Sequence, residues 1–371
     1  MASQMKINGK SVPLEPGWTL LDAARAHGFH VPTLCHLDGS RPTGRCGICV
    51  VEVEGAGELV PACSTPARDG MAVKTESRAV VEARREVLRK LLASGYHNCV
   101  VAQMDLDSWT DFQMEAMKRP WHGEICPAHG ACKLQDLAIA YGVEIDRADL
   151  PSAEFPLDDS HPMFVRDFSR CIRCGRCAKA CNEVQVNLAI PFNEQAAEEG
   201  RFPVADYDLC VHCGECVQAC PVGAIFEKKA FARSHNGELR KVRTTCPYCG
   251  VGCQLQLHVK DQEIVKVTGV EGARPNDGRL CVKGRFGYDF IYSEERLATP
   301  LVRENGSFRE ASWDEALGLV ADRFQAIVRE HGPDAIGGVS CARSINEDSY
   351  QMQKLFRAVI GTHNIDHCAR T

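Results

Sequence analysis

The run Cys171-Ile-Arg-Cys174-Gly-Arg-Cys177-Ala-Lys-Ala-Cys181 is repeated downstream as Cys210-Val-His-Cys213-Gly-Glu-Cys216-Val-Gln-Ala-Cys220. Both runs have the spacing C-x2-C-x2-C-x3-C, so three thiols fall within seven residues. Structural zinc instead favours two separated pairs of cysteines. This spacing holds cubane [4Fe–4S] clusters, and the fourth cysteine of each run ligates the cluster of the other run. The sequence therefore predicts two cubanes, one held by Cys171, Cys174, Cys177 and Cys220 and the other by Cys210, Cys213, Cys216 and Cys181.

Composition limits the class of protein that carries these clusters. The 371 residues include 21 cysteines, of which 19 fall in short runs. Disulfide scaffolds are usually short and secreted, whereas this chain is long and its first 30 residues have no apolar segment of the secretory type. No run of about 18 apolar residues exists to span a membrane. The net charge of −6 is mild, and no basic stripe suggests nucleic acid. We therefore expect a cytoplasmic protein of several domains, with no membrane span and no nucleic-acid partner.

Residues 1–78 read as a small β-rich domain. The segment Met5–Glu15 alternates like a hairpin with Asn8-Gly9 at its turn. A short helix with a capping box of Thr19 and Asp22 follows, and then a glycine-rich cysteine loop and a strand over Ile48–Glu54. This order resembles a plant-type [2Fe–2S] ferredoxin, a β-grasp fold. The resemblance implies that one [2Fe–2S] cluster is held by Cys35, Cys46, Cys49 and Cys63.

Residues 79–150 resemble the one-histidine, three-cysteine [4Fe–4S] segment of complex I large subunits and iron-only hydrogenases. A helix is predicted over Ala79–Ala93, and the Cys126-x5-Cys132 gap and the following Leu134-Gln135 match that family. The first half of this segment departs from the usual pattern of that family, because a long insertion separates Cys99 from Cys126. The resemblance implies a helical segment whose ligands are His97, Cys99, Cys126 and Cys132, with His122 and His129 as alternatives to His97.

Residues 151–240 contain the two cysteine runs and resemble a bacterial two-cluster ferredoxin. The prolines of 151–165 predict a linker, and the long insert Asn182–Tyr207 predicts a strand or a hairpin. Basic residues gather around the first run, where they would stabilise clusters of negative charge, although a solvated basic face explains any single one as well. These residues are Arg170, Arg173, Arg176 and Lys179.

Residues 241–300 carry a different pattern, C-x2-C-x3-C-x27-C, formed by Cys246, Cys249, Cys253 and Cys281. A zinc ribbon is the plain alternative for two pairs of cysteines. The third cysteine, the intervening glycines and the ending Cys281-Val-Lys283-Gly-Arg argue against it. The pattern is similar to the N-terminal [4Fe–4S] domain of molybdenum and tungsten bis-pterin enzymes. That resemblance implies a fourth [4Fe–4S] cluster and places Lys283 between cluster and pterin as an electron-transfer and cofactor-binding residue.

Residues 301–371 resemble the start of the α/β catalytic domain of the same enzymes. We expect a helix over Trp313–Glu330, a buried strand over 334–340, a helix over Asn346–Ile360 and a cofactor-binding Asn346 at the preceding turn. The segment from Gly361 to Arg370 resembles the corresponding segment of the formate dehydrogenases. In that family one residue follows Cys-Ala-Arg, and the metal-binding selenocysteine or cysteine comes directly after it. The sequence ends at Thr371. We expect it to be either a fragment or the product of a selenocysteine codon that was read as a stop. We therefore expect no catalytic residue in this chain and no formate oxidation by it alone.

The sequence as a whole predicts a multidomain α+β protein that resembles the iron–sulfur portion of a cytoplasmic NAD-dependent formate dehydrogenase. The resemblance implies one [2Fe–2S] and four [4Fe–4S] clusters, and molybdenum or tungsten bis-(molybdopterin guanine dinucleotide) in the full-length protein. No glycine-rich dinucleotide motif is present. Any NAD or flavin site is therefore expected on another chain, and the resemblance implies as partners a flavin- and NAD-binding iron–sulfur subunit and a small [2Fe–2S] subunit. The alternative is an electron-transfer subunit of a hydrogenase or a complex I type assembly.

Overall fold

The computed structural model describes residues 3–97, 126–128, 130–151, 155–231 and 239–368. Within these ranges, none of the helices combines the length and the apolar character needed to cross a membrane. The chain forms two compact units, one made of Met1–Arg240 with Val259–Lys266 and the other of Lys241–His258 with Val267–Thr371.

A five-stranded sheet with one helix against it forms the first domain of the first unit. Its strands lie in the order β2-β1-β5-β3-β4, with β1 parallel to β5 and the other neighbours antiparallel. The hairpin predicted at Asn8-Gly9 is confirmed, since both residues are left-handed, with φ of 49° and 83°. The elements are β1 Gln4–Ile7, β2 Lys10–Pro13, α1 Leu20–Ala26, β3 Val50–Val53, β4 Leu59–Pro61 and β5 Ala72–Lys74.

The capping box predicted for α1 is confirmed, because the Thr19 hydroxyl accepts from the Asp22 amide while the Asp22 carboxylate accepts from the Thr19 amide. This cap orients α1 so that its apolar side closes the core of the β-grasp. The core includes Met5, Ile7, Val12, Leu20, Leu21, Val51 and Val73, together with the predicted cluster ligands Cys49 and Cys63.

Two helices connect this domain to the rest of the unit: α2 spans Arg78–Ala93 and α3 spans Lys133–Ala140. Arg84 of α2 is fully buried and donates to the Glu76 carboxylate, the Tyr141 hydroxyl and the Val50 carbonyl, at 2.7, 2.7 and 3.0 Å. A buried guanidinium with three partners fixes α2 against both the sheet and the segment after α3.

The ferredoxin domain differs from the sequence prediction in two places. The predicted linker 151–165 contains β6 Leu157–Asp158 and the start of β7 Phe164–Asp167, which pair antiparallel with each other and, through β7, with β8 Ile225–Glu227. The described insert contains a helix and left-handed residues at Val186 and Leu188 rather than the expected strand or hairpin. The short helices are α4 Arg176–Lys179, continued by a π-helical turn over Ala180–Val184, α5 Glu194–Glu198 and α6 Glu215–Ala219.

A three-stranded sheet with the strand order β11-β10-β9 begins the cysteine-containing 241–300 region. They are β9 Arg240–Thr245, β10 Gln254–Lys260 and β11 Glu263–Gly269, and they precede α7 Val282–Phe286 and the hairpin β12 Leu301–Glu304 and β13 Ser307–Glu310.

The segment after residue 310 has the predicted helix–strand–helix order. The predicted buried strand is shorter and more exposed than expected, since Val339 of this strand is 79% exposed. In the second of these helices Phe356 is buried, whereas the apolar residues Leu355 and Val359 are exposed. The elements are α8 Trp313–His331, β14 Gly338–Ser340, α9 Asn346–Lys354 with a π-helical turn over Leu355–Ile360, and β15 Ile365–His367, parallel to β14.

Candidate iron–sulfur sites

The four cysteines predicted to hold the [2Fe–2S] cluster converge in the loop between α1 and β3 and at the end of β4. The Cys49 and Cys63 sulfurs are 3.5 Å apart, and the Cys46 side chain hydrogen-bonds Cys35. That hydrogen bond, opposed by burial, lowers the pKa of Cys35 to about 5. Gly44 and Gly47 in this loop are left-handed, a conformation that L side chains rarely adopt. Four thiols from a single loop and its neighbouring strand can therefore face one small cluster.

His97 is buried beside the first ferredoxin run, because Tyr96 N donates to Ser169 O at 2.6 Å and Arg170 donates to Tyr96 O. Burial, reinforced by the charge of Arg170, lowers the pKa of His97 to about 3, so the imidazole is neutral at ordinary pH. Among the described residues its Nε2 has no hydrogen-bond partner. A neutral, buried imidazole with an unpartnered nitrogen is suited to bind a metal. The alternatives His122 and His129, and the predicted ligand Cys99, lie outside the described residues.

Cys126 and Cys132 pack against the turn that follows Cys220. The Cys132 sulfur lies 3.7 Å from the Pro221 carbonyl, and Lys133 N donates to that carbonyl at 2.9 Å. A Cβ placed on Gly223 would come within 2.7 Å of the Cys126 sulfur, so only glycine allows this approach. Cys171 and Cys220 are predicted ligands of one cubane. His97 is anchored beside Cys171, and Cys126 and Cys132 are anchored beside Cys220.

The two ferredoxin runs fold alike. In each run the second residue after the first cysteine and the glycine after the second cysteine are left-handed: Arg173 and Gly175 in one, His212 and Gly214 in the other. Alternation of right- and left-handed residues points successive backbone N–H groups at one anion. Binding of an anion by these N–H groups would offset the cost of positive φ at the non-glycine residues Arg173 and His212.

The first predicted cubane site brings together Cys171, Cys174, Cys177 and Cys220. Burial first, and then the charges of the other members, raises the pKa of Cys171, Cys174 and Cys220 to about 12. Thiols this resistant to ionisation need a strong positive charge to become thiolates, which bound iron supplies.

In the second predicted site, burial raises the pKa of Cys216 to about 12, with smaller contributions from Cys213 and Cys210. Cys181 is buried on the π-helical turn after α4, and its place in this site stays a prediction. Sequence analysis missed His161, whose Nε2 is 2.8 Å from His212 Nδ1 next to Cys210.

The four cysteines Cys246, Cys249, Cys253 and Cys281 also converge. Burial raises the pKa of Cys253, followed by the charges of the other three thiols. Backbone contacts close the loop, since Cys246 N donates to Cys253 O at 2.8 Å. Gly284 of α7 lies against the Cys246 sulfur, where an added Cβ would be 3.6 Å away.

Lys283 and Asn346, the predicted cofactor-binding residues, are both exposed. Lys283 lies on α7, two residues after Cys281, which is the N-cap residue of that helix. The Asn346 side-chain amide donates to the Gly250 carbonyl at 3.0 Å, so this residue holds the Cys249–Cys253 loop. The sequence pattern predicts that Asn346 binds a ligand. In the structure, Asn346 also contacts the cysteine loop.

Buried cations join the [2Fe–2S] loop to the ferredoxin helices. Arg176 donates to the His36 and Ala219 carbonyls at 2.5 and 2.7 Å, and Lys179 donates to the Arg41 carbonyl at 2.9 Å. The loop of one predicted cluster is thus fastened directly to the helix that carries Cys177.

The donor sets fit iron–sulfur clusters. The described cysteines form no disulfides, those of the [2Fe–2S] loop, of the first cubane site and of the 246–281 site lie together, and the Nε2 of buried His97 has no hydrogen-bond partner among the described residues. Thiolates, with one imidazole, are the ligands that such clusters use.

Family models match the chain in the order of these sites. Residues 3–78 match the 2Fe-2S iron-sulfur cluster binding domain, and residues 170–224 and 202–256 match 4Fe-4S dicluster domains. Residues 239–293 match the molybdopterin oxidoreductase Fe4S4 domain, and residues 296–371 match the molybdopterin oxidoreductase domain. The predicted fold class is confirmed by these matches and by the mixed helix and sheet structure.

The similar curated proteins include two from Staphylococcus aureus, strains USA300 and COL, each named "Putative formate dehydrogenase". Each is 32% identical over 98% of this chain and 39% of its own length. The chain therefore spans about two fifths of these relatives. A solved NAD+-reducing [NiFe]-hydrogenase in its H2-reduced state is also similar, with a TM-score of 0.50 and 28% identity over 64% of this chain and 92% of that chain. The chain thus contains matches to 2Fe-2S and 4Fe-4S cluster binding domains followed by matches to molybdopterin oxidoreductase domains, and over nearly its whole length it is similar to proteins named formate dehydrogenases.

Proposed function

We propose that this chain is the electron relay of a cytoplasmic NAD-dependent formate dehydrogenase. In this proposal formate is oxidised to CO2 at a molybdenum or tungsten bis-(molybdopterin guanine dinucleotide) site of the whole protein. One [2Fe–2S] and four [4Fe–4S] clusters supply the one-electron chemistry. The observation that carries the proposal is the presence of five predicted cysteine groups, free of disulfides among the described residues, in a chain whose matched relatives are named formate dehydrogenases.

The residues of the chain hold and insulate these clusters. The buried cysteines of the 1–78 and 170–224 regions place their sulfurs away from water, which keeps the local dielectric low and makes each nearby charge effective. Arg166, Arg170, Arg176 and Lys179 are buried cations that offset the negative charge of the thiolates. Lys283 and Asn346 lie next to the 246–281 site, where a pterin would adjoin it.

The proposed partners are a flavin- and NAD-binding iron–sulfur subunit and a small [2Fe–2S] subunit. The similarity to a chain of an NAD+-reducing hydrogenase supports the first of these and keeps a hydrogenase-type assembly as the second candidate function. The matches of residues 239–293 and 296–371 to molybdopterin oxidoreductases favour formate dehydrogenase, because they are matches to the pterin-enzyme models.

The choice between the two functions is tested on the protein encoded by the complete reading frame, produced anaerobically with molybdate or tungstate. We expect formate, and not H2, to reduce the clusters, as followed by electron paramagnetic resonance (EPR) and by loss of visible absorbance. Reduction by H2 alone would instead support the hydrogenase-type assembly.

The cluster assignment is tested by metal analysis of the same protein. Five fully loaded clusters require about 18 iron atoms. About 14 iron atoms would remove the His97 site from the proposal, and stoichiometric zinc would contradict the assignment of the 246–281 cysteines.

A further inference from the structure

Arg166 lies on β7 between the two ferredoxin runs. Its side chain is 1% exposed, and its Nη2 is 3.6 Å from the Cys216 sulfur of the second run. The same residue lines a small cavity with Cys177 of the first run, where burial raises the pKa of Cys177 and the charge of Arg166 opposes that rise. Cys177 and Cys216 are predicted ligands of different cubanes, so one cation acts on a thiol from each.

The rest of the Arg166 environment fixes the guanidinium in this position. Nη1 donates to the Pro203 carbonyl at 3.1 Å, and the guanidinium carbon lies 5.6 Å from the centre of the Phe164 ring. The Tyr207 hydroxyl interacts electrostatically with the guanidinium and donates to the Asp158 carboxylate at 2.5 Å. A planar group held by a ring, a carbonyl and a hydroxyl cannot swing away from the two sulfurs.

The charge of Arg166 has no carboxylate partner. Within the described part of the chain, no acidic oxygen lies within ion-pair distance of this guanidinium, and its Nε has no hydrogen-bond partner. Burying an unpaired charge costs several kcal/mol. Cys216 and Cys177 are the two groups that act most strongly on this charge, and they become anionic when they bind iron.

We propose that Arg166 is a shared tuning residue, which donates to a thiolate ligand of each ferredoxin cubane and raises the reduction potentials of both clusters together. The inference depends on the proposed function only in requiring that both runs hold cubanes. Reduction adds an electron to a cluster that is already negative, so a fixed cation between the two sites favours the reduced form of each.

The test is an EPR-monitored redox titration of the iron-loaded protein and its Arg166→Gln variant. We expect both cubane potentials to become more negative, so that at a fixed potential the ratio of reduced to oxidised cluster falls about tenfold, which equals about 59 mV for a one-electron couple. Arg166→Lys keeps the charge but not the fork, so its shifts should be smaller. If Arg166→Gln fails to load iron, the Arg166→Lys shift decides alone, and unchanged potentials in it would overturn the inference.

Arg173 provides a matched control. It stacks on Phe202 at 4.8 Å and acts on Cys171 of the first site. Arg173→Gln should therefore lower one cubane potential, whereas exposed Arg201→Gln should change neither. A shift of one potential only in Arg166→Gln would refute the shared role, as would two unchanged potentials. Absence of the two cubane signals in the unaltered, iron-loaded chain would instead refute the proposed function.

Discussion

His97 combines burial, a neutral ring and an unpartnered Nε2 within the described residues. These three properties together are unusual for a structural histidine, because buried polar atoms are nearly always hydrogen-bonded. They favour His97 over His122 and His129 as the ligand that completes the site of Cys126 and Cys132. The choice could not be made from spacing, since the insertion before Cys126 separates the ligands.

Replacement of His97 tests that choice. His97→Ala should lower the iron content by about four atoms and remove one [4Fe–4S] signal, whereas His97→Cys, which supplies a thiolate, should retain more of both. The measurement is iron analysis with EPR on each purified variant. His30→Ala, at an exposed position, is the matched control and should keep full loading. Loss of four iron atoms in His122→Ala or His129→Ala, with full loading in His97→Ala, would contradict the assignment.

Gly223 is a second decisive single residue, because its missing side chain makes room for the Cys126 sulfur. Gly223→Ala should displace that sulfur and lower the free energy of unfolding by about 1–3 kcal/mol, the usual cost of overpacking. Thermal unfolding and iron content of the variant provide the measurement. Gly318→Ala is the control, since nothing lies within 4 Å of a Cβ there and the added methyl should favour α8 slightly. Equal stability of the two variants would show that the approach is not tight.

At the scale of elements, α4 and the cysteine loop of the β-grasp act as one assembly. Arg176 and Lys179 donate to three backbone carbonyls, two of them in the 36–41 segment, and Leu37 packs on Ala180 and Ala219. The [2Fe–2S] ligands are therefore held directly against the ferredoxin domain. The packing does not require the His97 site to lie between these two regions.

The Arg176 contacts predict a local loss of stability. In Arg176→Met the amides of the 36–45 loop should exchange with solvent faster, with a loss of about 1.5–3 kcal/mol in local opening free energy, because a charged donor is removed from buried carbonyls. Hydrogen–deuterium exchange measures it. Arg201→Met, on the surface, should leave the loop unchanged. The interpretation would be wrong if both variants exchanged alike.

Sequence periodicity predicted the longer elements well and the shorter ones poorly. The capped helices α1, α2 and α8 lie where their caps and apolar spacing place them. The strands β6 and β7, of two and four residues, lie in a proline-rich segment and exist because β8 pairs with β7 from about 60 residues away. The strand β14 is exposed rather than buried for the same reason: its environment depends on elements distant in sequence.

For the whole molecule, the domains differ in what holds them together. The β-grasp has a five-stranded sheet around a core of aliphatic side chains. The ferredoxin domain has helices of four and five residues, well below the ~12–15 residues that are marginally stable alone. Its interior contains cysteines where a larger domain would have leucines. Clusters should therefore contribute much of the stability of this domain.

Removal of iron tests this difference. After anaerobic chelation, residues 155–231 should lose most of their protection from hydrogen exchange, while β1, β2 and β5 keep theirs. The two regions are compared within the same sample, which makes the β-grasp an internal control. Uniform loss, or uniform retention, would show that cluster binding does not distinguish the domains.

The sequence by itself predicted which cysteines belong to which group and which class of cofactor each group can hold. That is possible because most ligands of a group lie within short spacings, so that local chain geometry decides which sulfurs reach one metal centre, while the more distant Cys63, Cys220 and Cys281 were assigned from family patterns. Only the tertiary structure decided the role of Arg166, the space at Gly223, the burial of His97 and the fastening by Arg176. These depend on a charge or a side chain meeting residues 50 or more positions away, and burial strengthens such contacts because it excludes water.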